Sequence, residues 1–221
     1  MLRTVFTAGA AAALAAAALA PSAGAATSSV PAAAPPGQIT VDVVQVNGSG
    51  CRPGTANVAV SPDNTAFTVT YSEYLAQVGK DAKATDFRKN CQLGLRVNVP
   101  QGYTYAIAKA DYRGFASIAE GASATQNASY YFQGMSQTAY RSHTLNGPAE
   151  GNWQVSDAVP VEALVFHPCG AKRNLNINTE LRAHAGSSDT ANTTSFLAMD
   201  STDGSFNTVY HFSWKTCPQR R

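Results

Sequence analysis

Three glutamates, Glu150, Glu162 and Glu180, fall on or beside segments that read as β-strands. Glycoside hydrolysis by a β-sandwich needs only two carboxylates at a defined separation. Asp and Glu total 14, and single carboxylates on strands are ordinarily solubilising groups. Nucleophilic catalysis has less to build on: Gly134-Met135-Ser136-Gln137-Thr138 lacks the second glycine of a nucleophile elbow. His143, His167, His184 and His211 are scattered, without the H-E-x-x-H or close pairing that zinc asks for. Asp200-Ser201-Thr202-Asp203-Gly204 lacks the alternating acidic ligands and distal glutamate of a calcium loop and reads as a tight turn. No catalytic residue, metal or cofactor is expected from these motifs.

Two sets of side chains suit binding better. Asn174, Asn176, Asn178, Glu180, Arg182 and His184 alternate along one strand and offer hydrogen-bonding groups that could read sugar hydroxyls or another protein's backbone. Aromatics crowd the middle of the chain, and at adjacent Tyr130 and Tyr131 the two side chains must point to opposite faces. One of that pair is therefore a candidate for stacking on a sugar ring.

The compartment follows from the N-terminus. Met1-Leu2-Arg3-Thr4 is a short positive start, an alanine-rich apolar run follows, and Ala23-Gly24-Ala25 supplies small residues for a signal peptidase. Residues 1–25 read as an export signal, too short and too poor in large side chains to stay in a membrane. Residues 26–38, rich in Ala, Ser and Pro, read as a flexible leader. Residues 39–217 read as a single domain, long enough to bury a core without help from disulfides. The formal charge is +2, and Arg3 leaves with the signal, so nucleic acid is an unpromising partner.

An even number of cysteines in an oxidising compartment argues for two disulfides among Cys51, Cys91, Cys169 and Cys217. No C-x-x-C spacing suggests a metal instead. Three pairings are possible; Cys51–Cys91 with Cys169–Cys217 is favoured because sequence-near partners meet more easily. Each would close a loop of about 40 to 50 residues, worth about 4 kcal/mol in the chain-entropy account.

Period two dominates from Ile39 onward. In 92–99, Leu93, Leu95, Val97 and Val99 share a face, and Leu175, Ile177, Thr179, Leu181 and Ala183 do the same. Ser61-Pro62-Asp63-Asn64 should turn a hairpin between strands at 58–60 and 67–71. Further strands are expected at 40–46, 103–112, 129–132, 137–145, 152–155, 161–166, 194–199 and 206–214. Residues 73–87, interrupted by Gly79, read as a long loop with a turn of helix. Short strands separated by Gly, Pro and Asn turns predict an all-β fold, an antiparallel β-sandwich or a jelly-roll-like variant.

Several strings occur together and in order: Gly48-Ser49-Gly50-Cys51, Arg88-Lys89-Asn90-Cys91-Gln92-Leu93, Asp111-Tyr112-Arg113-Gly114, Tyr131-Phe132-Gln133-Gly134, Pro168-Cys169-Gly170, Leu175-Asn176-Ile177-Asn178-Thr179 and Trp214-Lys215-Thr216-Cys217. In these the chain resembles the secreted domain-of-unknown-function family numbered 4360, from about Gly37 to Cys217. The resemblance implies a secreted single domain with paired cysteines and brings no functional residue with it. The resulting expectation is a secreted, non-catalytic protein that binds a polysaccharide, a cell-wall component or another secreted protein. Tyr130, Tyr131, Asn174, Asn176 and Asn178 are its candidate ligand-binding residues. A glycan hydrolase using a carboxylate pair, and an inhibitor or structural partner of an exported protein, are the alternatives.

Overall fold

The structure, a computed structural model, describes residues 32–136, 139–199 and 207–218. The expected signal at 1–25, the stretch 26–31, the turn at 200–204 and two residues of the Ser136 motif, Gln137 and Thr138, lie outside the described residues.

The strands, in chain order, are β1 (Thr40–Asn47), β2 (Ala56–Val60), β3 (Ala66–Tyr71), β4 (Leu75–Gly79), β5 (Arg88–Asn98), β6 (Tyr103–Ile118), β7 (Ser123–Phe132), β8 (Ala139–Asn146), β9 (Ala149–Ala158), β10 (Leu175–His184), β11 (Thr194–Ala198) and β12 (Asn207–Thr216). Two antiparallel sheets pack as a sandwich. One has five strands in the order β1-β5-β10-β7-β8; the other has seven, ordered β2-β3-β12-β6-β11-β4, with β9 paired to β6.

Alternation is what makes the layers. On β10 Leu175, Ile177, Thr179, Leu181 and Ala183 are buried while the residues between them are not. With Leu93 and Leu95 of β5 they form one inner face, which meets Phe67, Val69, Tyr105, Tyr112 and Tyr210 of the other sheet in a single core cluster. Full burial of each such leucine or isoleucine is worth about 1.5–3 kcal/mol. The β2–β3 hairpin forms as expected, with Asn64 at φ 57 in its turn. Gly50 leaves room for the next layer: a Cβ there would come within 2.3 Å of the Tyr74 ring.

Three local expectations change. Within 73–87 there is no helix; Leu75–Gly79 is β4, an edge strand paired with β11. Tyr74 and Ala76 are both buried, so period two rules here as well, and pairing with β11 satisfies a backbone that one turn of helix would have left open. The expected strand at 161–166 is instead a 3-10 turn, Val161–Ala163, preceded by Pro160. Pro160 has no N–H for a ladder, and Val161, Glu162 and Ala163 are all exposed; of this stretch Val165 packs against the core, too little for an alternating buried face. The leader is docked from Ala32: its N–H bonds Trp214 O at 2.9 Å, and Asn64 Nδ2 donates to the carbonyls of Pro35 and Gly37. Composition had suggested flexibility there, but a buried asparagine amide across the sandwich end supplies the partners.

Candidate functional site

The outer face of the five-stranded sheet carries a continuous polar surface. Outward from β10 stand Asn176, Asn178, Glu180 and Arg182. In register they lie beside Tyr131, Ser129, Asn127 and Thr125 of β7, and beside Gly94, Gln92, Asn90 and Arg88 of β5. The edge strand β8 adds Tyr140 opposite Ser129. Among these rows runs an open groove of about 330 Å³, lined by Asn178, Ser129, Gln92 and Glu180, with Tyr140 at its rim.

Its hydrogen-bond capacity is unevenly used. Glu180 is clasped: Asn127 Nδ2 donates to Oε1 at 3.3 Å, Arg182 Nε donates to the same oxygen, and Arg88 Nε donates to Oε2 at 2.5 Å. Burial alone would raise the Glu180 carboxyl, but hydrogen bonds and charge from Arg182 and Arg88 outweigh it and hold the group below its ordinary value. It therefore stays ionised and is poorly suited to donate a proton. By contrast, Gln92, Asn176 and Asn178 take no side-chain partner among the described residues, and Asn178 Oδ1 is shielded yet unbonded. The Tyr140 hydroxyl donates to Asn127 Oδ1 at 3.2 Å, leaving its ring 61% exposed at the groove's edge.

The sequence-derived candidates separate. Asn176, Asn178 and Tyr131 share this face. Asn174 lies just before β10, where its carbonyl accepts from Gln133 N–H at 2.9 Å. Tyr130 is turned into the core, 7% exposed and edge-on to Tyr210 at 6.5 Å, away from the polar face that Asn176, Asn178 and Tyr131 share. Burial pushes its hydroxyl up to about 12. The three glutamates do not gather: Glu180 is on this face, Glu150 on the outer face of the seven-stranded sheet, and Glu162 in the 3-10 turn. Tyr140, among the crowded aromatics but not among the named ligand candidates, is the more accessible ring.

A second polar constellation was missed. Asp111 on β6, 7% exposed, accepts from Ser156 Oγ of β9, from His211 Nε2 of β12 at 2.8 Å and from Lys109 Nζ at 2.9 Å. Burial works to raise its carboxyl, but the donors Lys109, Ser156 and His211 outweigh it and hold Asp111 at about 2. The carboxylate is the hub here. In a nucleophilic triad the imidazole would be central, and Ser156 points at Asp111 instead. Between the sheets, His143 of β8 meets buried Asp157 of β9 at 2.7 Å. His167 stacks on Tyr105 at 5.4 Å, and burial lowers its ring's pKa. Apart from Lys109 and Asp111, which are two residues apart on one strand, no signal in the sequence marks these contacts, since their partners are distant in the chain.

Both disulfides join the favoured partners, Cys51–Cys91 with Cα atoms 5.2 Å apart and Cys169–Cys217 at 5.9 Å. Cys91 lies in the lining of the polar groove, so the first of them staples the floor of this face. Among the described residues no group of three or more His, Cys, Asp or Glu is placed to hold a metal ion.

The profile of a family described as a domain of unknown function, DUF4360, matches residues 37–217. The chain belongs to the DUF4360 family. It is also similar to an "Uncharacterized secreted protein" of Arthroderma benhamiae, with 34% identity over 185 residues that cover 84% of this chain and 74% of that one. This DUF4360 protein is secreted. Among solved structures, the enzymatically active domain of tailspike protein 4 from bacteriophage CBA120 matches at a TM-score of 0.24 and 10% identity, covering 81% of this chain and 19% of that one. The chain thus spans about a fifth of the tailspike structure. Three of the strings that carry the DUF4360 resemblance are brought side by side as β5, β7 and β10 at the centre of the polar face.

Proposed function

We propose that the protein is a non-catalytic extracellular binding module that holds a polysaccharide on the outer face of its five-stranded sheet. The observation that carries the reading is the set of unpartnered amides, Gln92 of β5 with Asn176 and Asn178 of β10, on the same face as the exposed Tyr140 of β8. Amides offer both donors and acceptors to sugar hydroxyls, and a tyrosine face suits the C–H side of a pyranose. Rigid strands hold these groups in place before any ligand arrives, which limits the ordering cost of binding. The clasped state of Glu180 and its separation from Glu150 and Glu162 favour binding over the carboxylate-pair alternative.

The test is a pull-down of purified protein on insoluble chitin, cellulose, xylan and peptidoglycan, with each supernatant assayed for released sugar. Retention without release is expected. Release of reducing ends would replace binding with hydrolysis, and retention on none of the four would contradict this reading and turn attention to a protein partner.

A further inference from the structure

The polar face does not end at its groove. Along β5 the outward residues run Arg88, Asn90, Gln92, Gly94, Arg96 and Asn98, and successive outward positions are about 6.6 Å apart. Gln92 lines the groove already described, whereas Arg96 lines a second, larger cleft of about 910 Å³ at the end of the sandwich beside the Cys169–Cys217 disulfide. Gly94 lies between them on the same outward row, buried between Gln45 of β1 and Asn176 of β10, so that no side chain of β5 rises between Gln92 and Arg96.

The second cleft is charged on one side only. Arg96, Lys172 and Arg173 line it, and no Asp or Glu does. Among the described residues none of the three cations has an ion-pair partner. Asp42 lies opposite Arg96 in register, but its carboxylate accepts from Asn98 Nδ2 at 2.8 Å. Arg173 is held in place by donating to Gln133 O at 2.9 Å, which spends one of its five N–H groups. A guanidinium in such a position presents paired donors suited to a carboxylate.

From this shared outward row of β5 and this charge we infer that the ligand of the polar face is an acidic polysaccharide, a uronate-bearing chain. Its hydroxyls lie along Gln92, Asn176 and Asn178, and its carboxylates reach the cleft at Arg96, Lys172 and Arg173. This inference rests on the proposed polysaccharide-binding function and names the ligand class.

Affinity electrophoresis of the full-length secreted protein in native gels tests it, with soluble polygalacturonate, its fully methyl-esterified form, or polyphosphate cast in the gel. The expected result is retardation by polygalacturonate at concentrations at least tenfold lower than by the ester or by polyphosphate, weakening as salt rises. Arg96→Gln combined with Lys172→Gln, both on exposed side chains away from the core, should remove most of that preference and leave the melting temperature unchanged. Asn178→Ala with Tyr140→Ala should weaken retardation by both polysaccharides. Equal retardation by acid and ester, still lost with Asn178→Ala and Tyr140→Ala, would overturn the acidic ligand and leave the polar-face reading standing. Retardation by polygalacturonate that ignores Asn178 and Tyr140 would overturn the shared path and with it that reading. Retardation by polyphosphate equal to that by polygalacturonate, or none by polygalacturonate, would also overturn the inference.

Discussion

The two outer faces of the sandwich are built from similar side chains and use them in opposite ways. On the seven-stranded sheet, Asp111 is saturated by Lys109, Ser156 and His211, three donors from three strands closing on one carboxylate. On the five-stranded sheet, Glu180 is likewise satisfied by Arg88 and Arg182, but Gln92, Asn176 and Asn178 further along the face take no side-chain partner among the described residues. A saturated cluster fixes strands to one another; unspent donors and acceptors above a groove are available to something else. Polarity alone therefore does not distinguish the two faces, and the accounting of hydrogen bonds does.

The largest effect that bears on the contrast should come from the disulfides, because one of them braces the polar face of the five-stranded sheet. Closing loops with separations of 40 and 48 residues is worth about 4 kcal/mol each. Full reduction should lower the melting temperature by more than ten degrees, about 2–4 °C for each kcal/mol in a chain of this size. Thiol alkylation before reduction should label no cysteine among the four.

Next in size is Asp111→Asn, which strips the charge that three donors were arranged around. Leaving them poorly satisfied should cost about 1–3 kcal/mol and several degrees of melting temperature, read by thermal unfolding, with polysaccharide retention unchanged. The mirror experiment is Asn178→Ala with Tyr140→Ala, for which retention should fall about tenfold, roughly 1.4 kcal/mol, while the melting temperature stays within a degree or two.

Acid should act on the clasped carboxylates of both faces. Asp111 is held at about 2 against an ordinary 3.8, and Glu180 is also lowered. Because these folded-state values are depressed, the unfolded chain takes up protons first as pH falls. Stability is fully present above about pH 4 and is lost progressively towards pH 2, and a pH series of unfolding midpoints for Asp111→Asn should be flatter across that window. The smallest effect belongs to Tyr130→Phe. The lost hydroxyl is buried without a hydrogen-bond partner among the described residues, so stability should hold or rise slightly, and retention should not change.

Much of this layout was legible beforehand, for a definite reason. Strict alternation in Leu175 to His184 gives the strand and its outward row together, since period two ties side-chain direction to position. The β2–β3 turn was equally plain because Pro62 and Asn64 carry their backbone preferences locally. Adjacent Tyr130 and Tyr131 were ambiguous because alternation says that they oppose each other and not which one faces in. The stretch at 161–166 misled because apolar residues mark burial only where a partner surface exists, and β4 was hidden because Gly79 broke a pattern too short to read. Of the Asp111 hub only the Lys109 contact, two residues away on the same strand, was legible: Ser156 and His211 reach Asp111 only through strand order. Arg96 and the Lys172–Arg173 pair are likewise neighbours of the fold and not of the sequence.

The most direct test of the contrast is a pair of binding isotherms on whichever insoluble polysaccharide retains the wild-type protein, measured for Asn178→Ala with Tyr140→Ala and for Asp111→Asn, alongside their melting curves. The prediction is a crossed result, with affinity lost about tenfold at normal stability in the first and stability lost at normal affinity in the second. Undiminished retention by the folded Asn178→Ala, Tyr140→Ala protein would contradict the assignment of the five-stranded face as the binding surface.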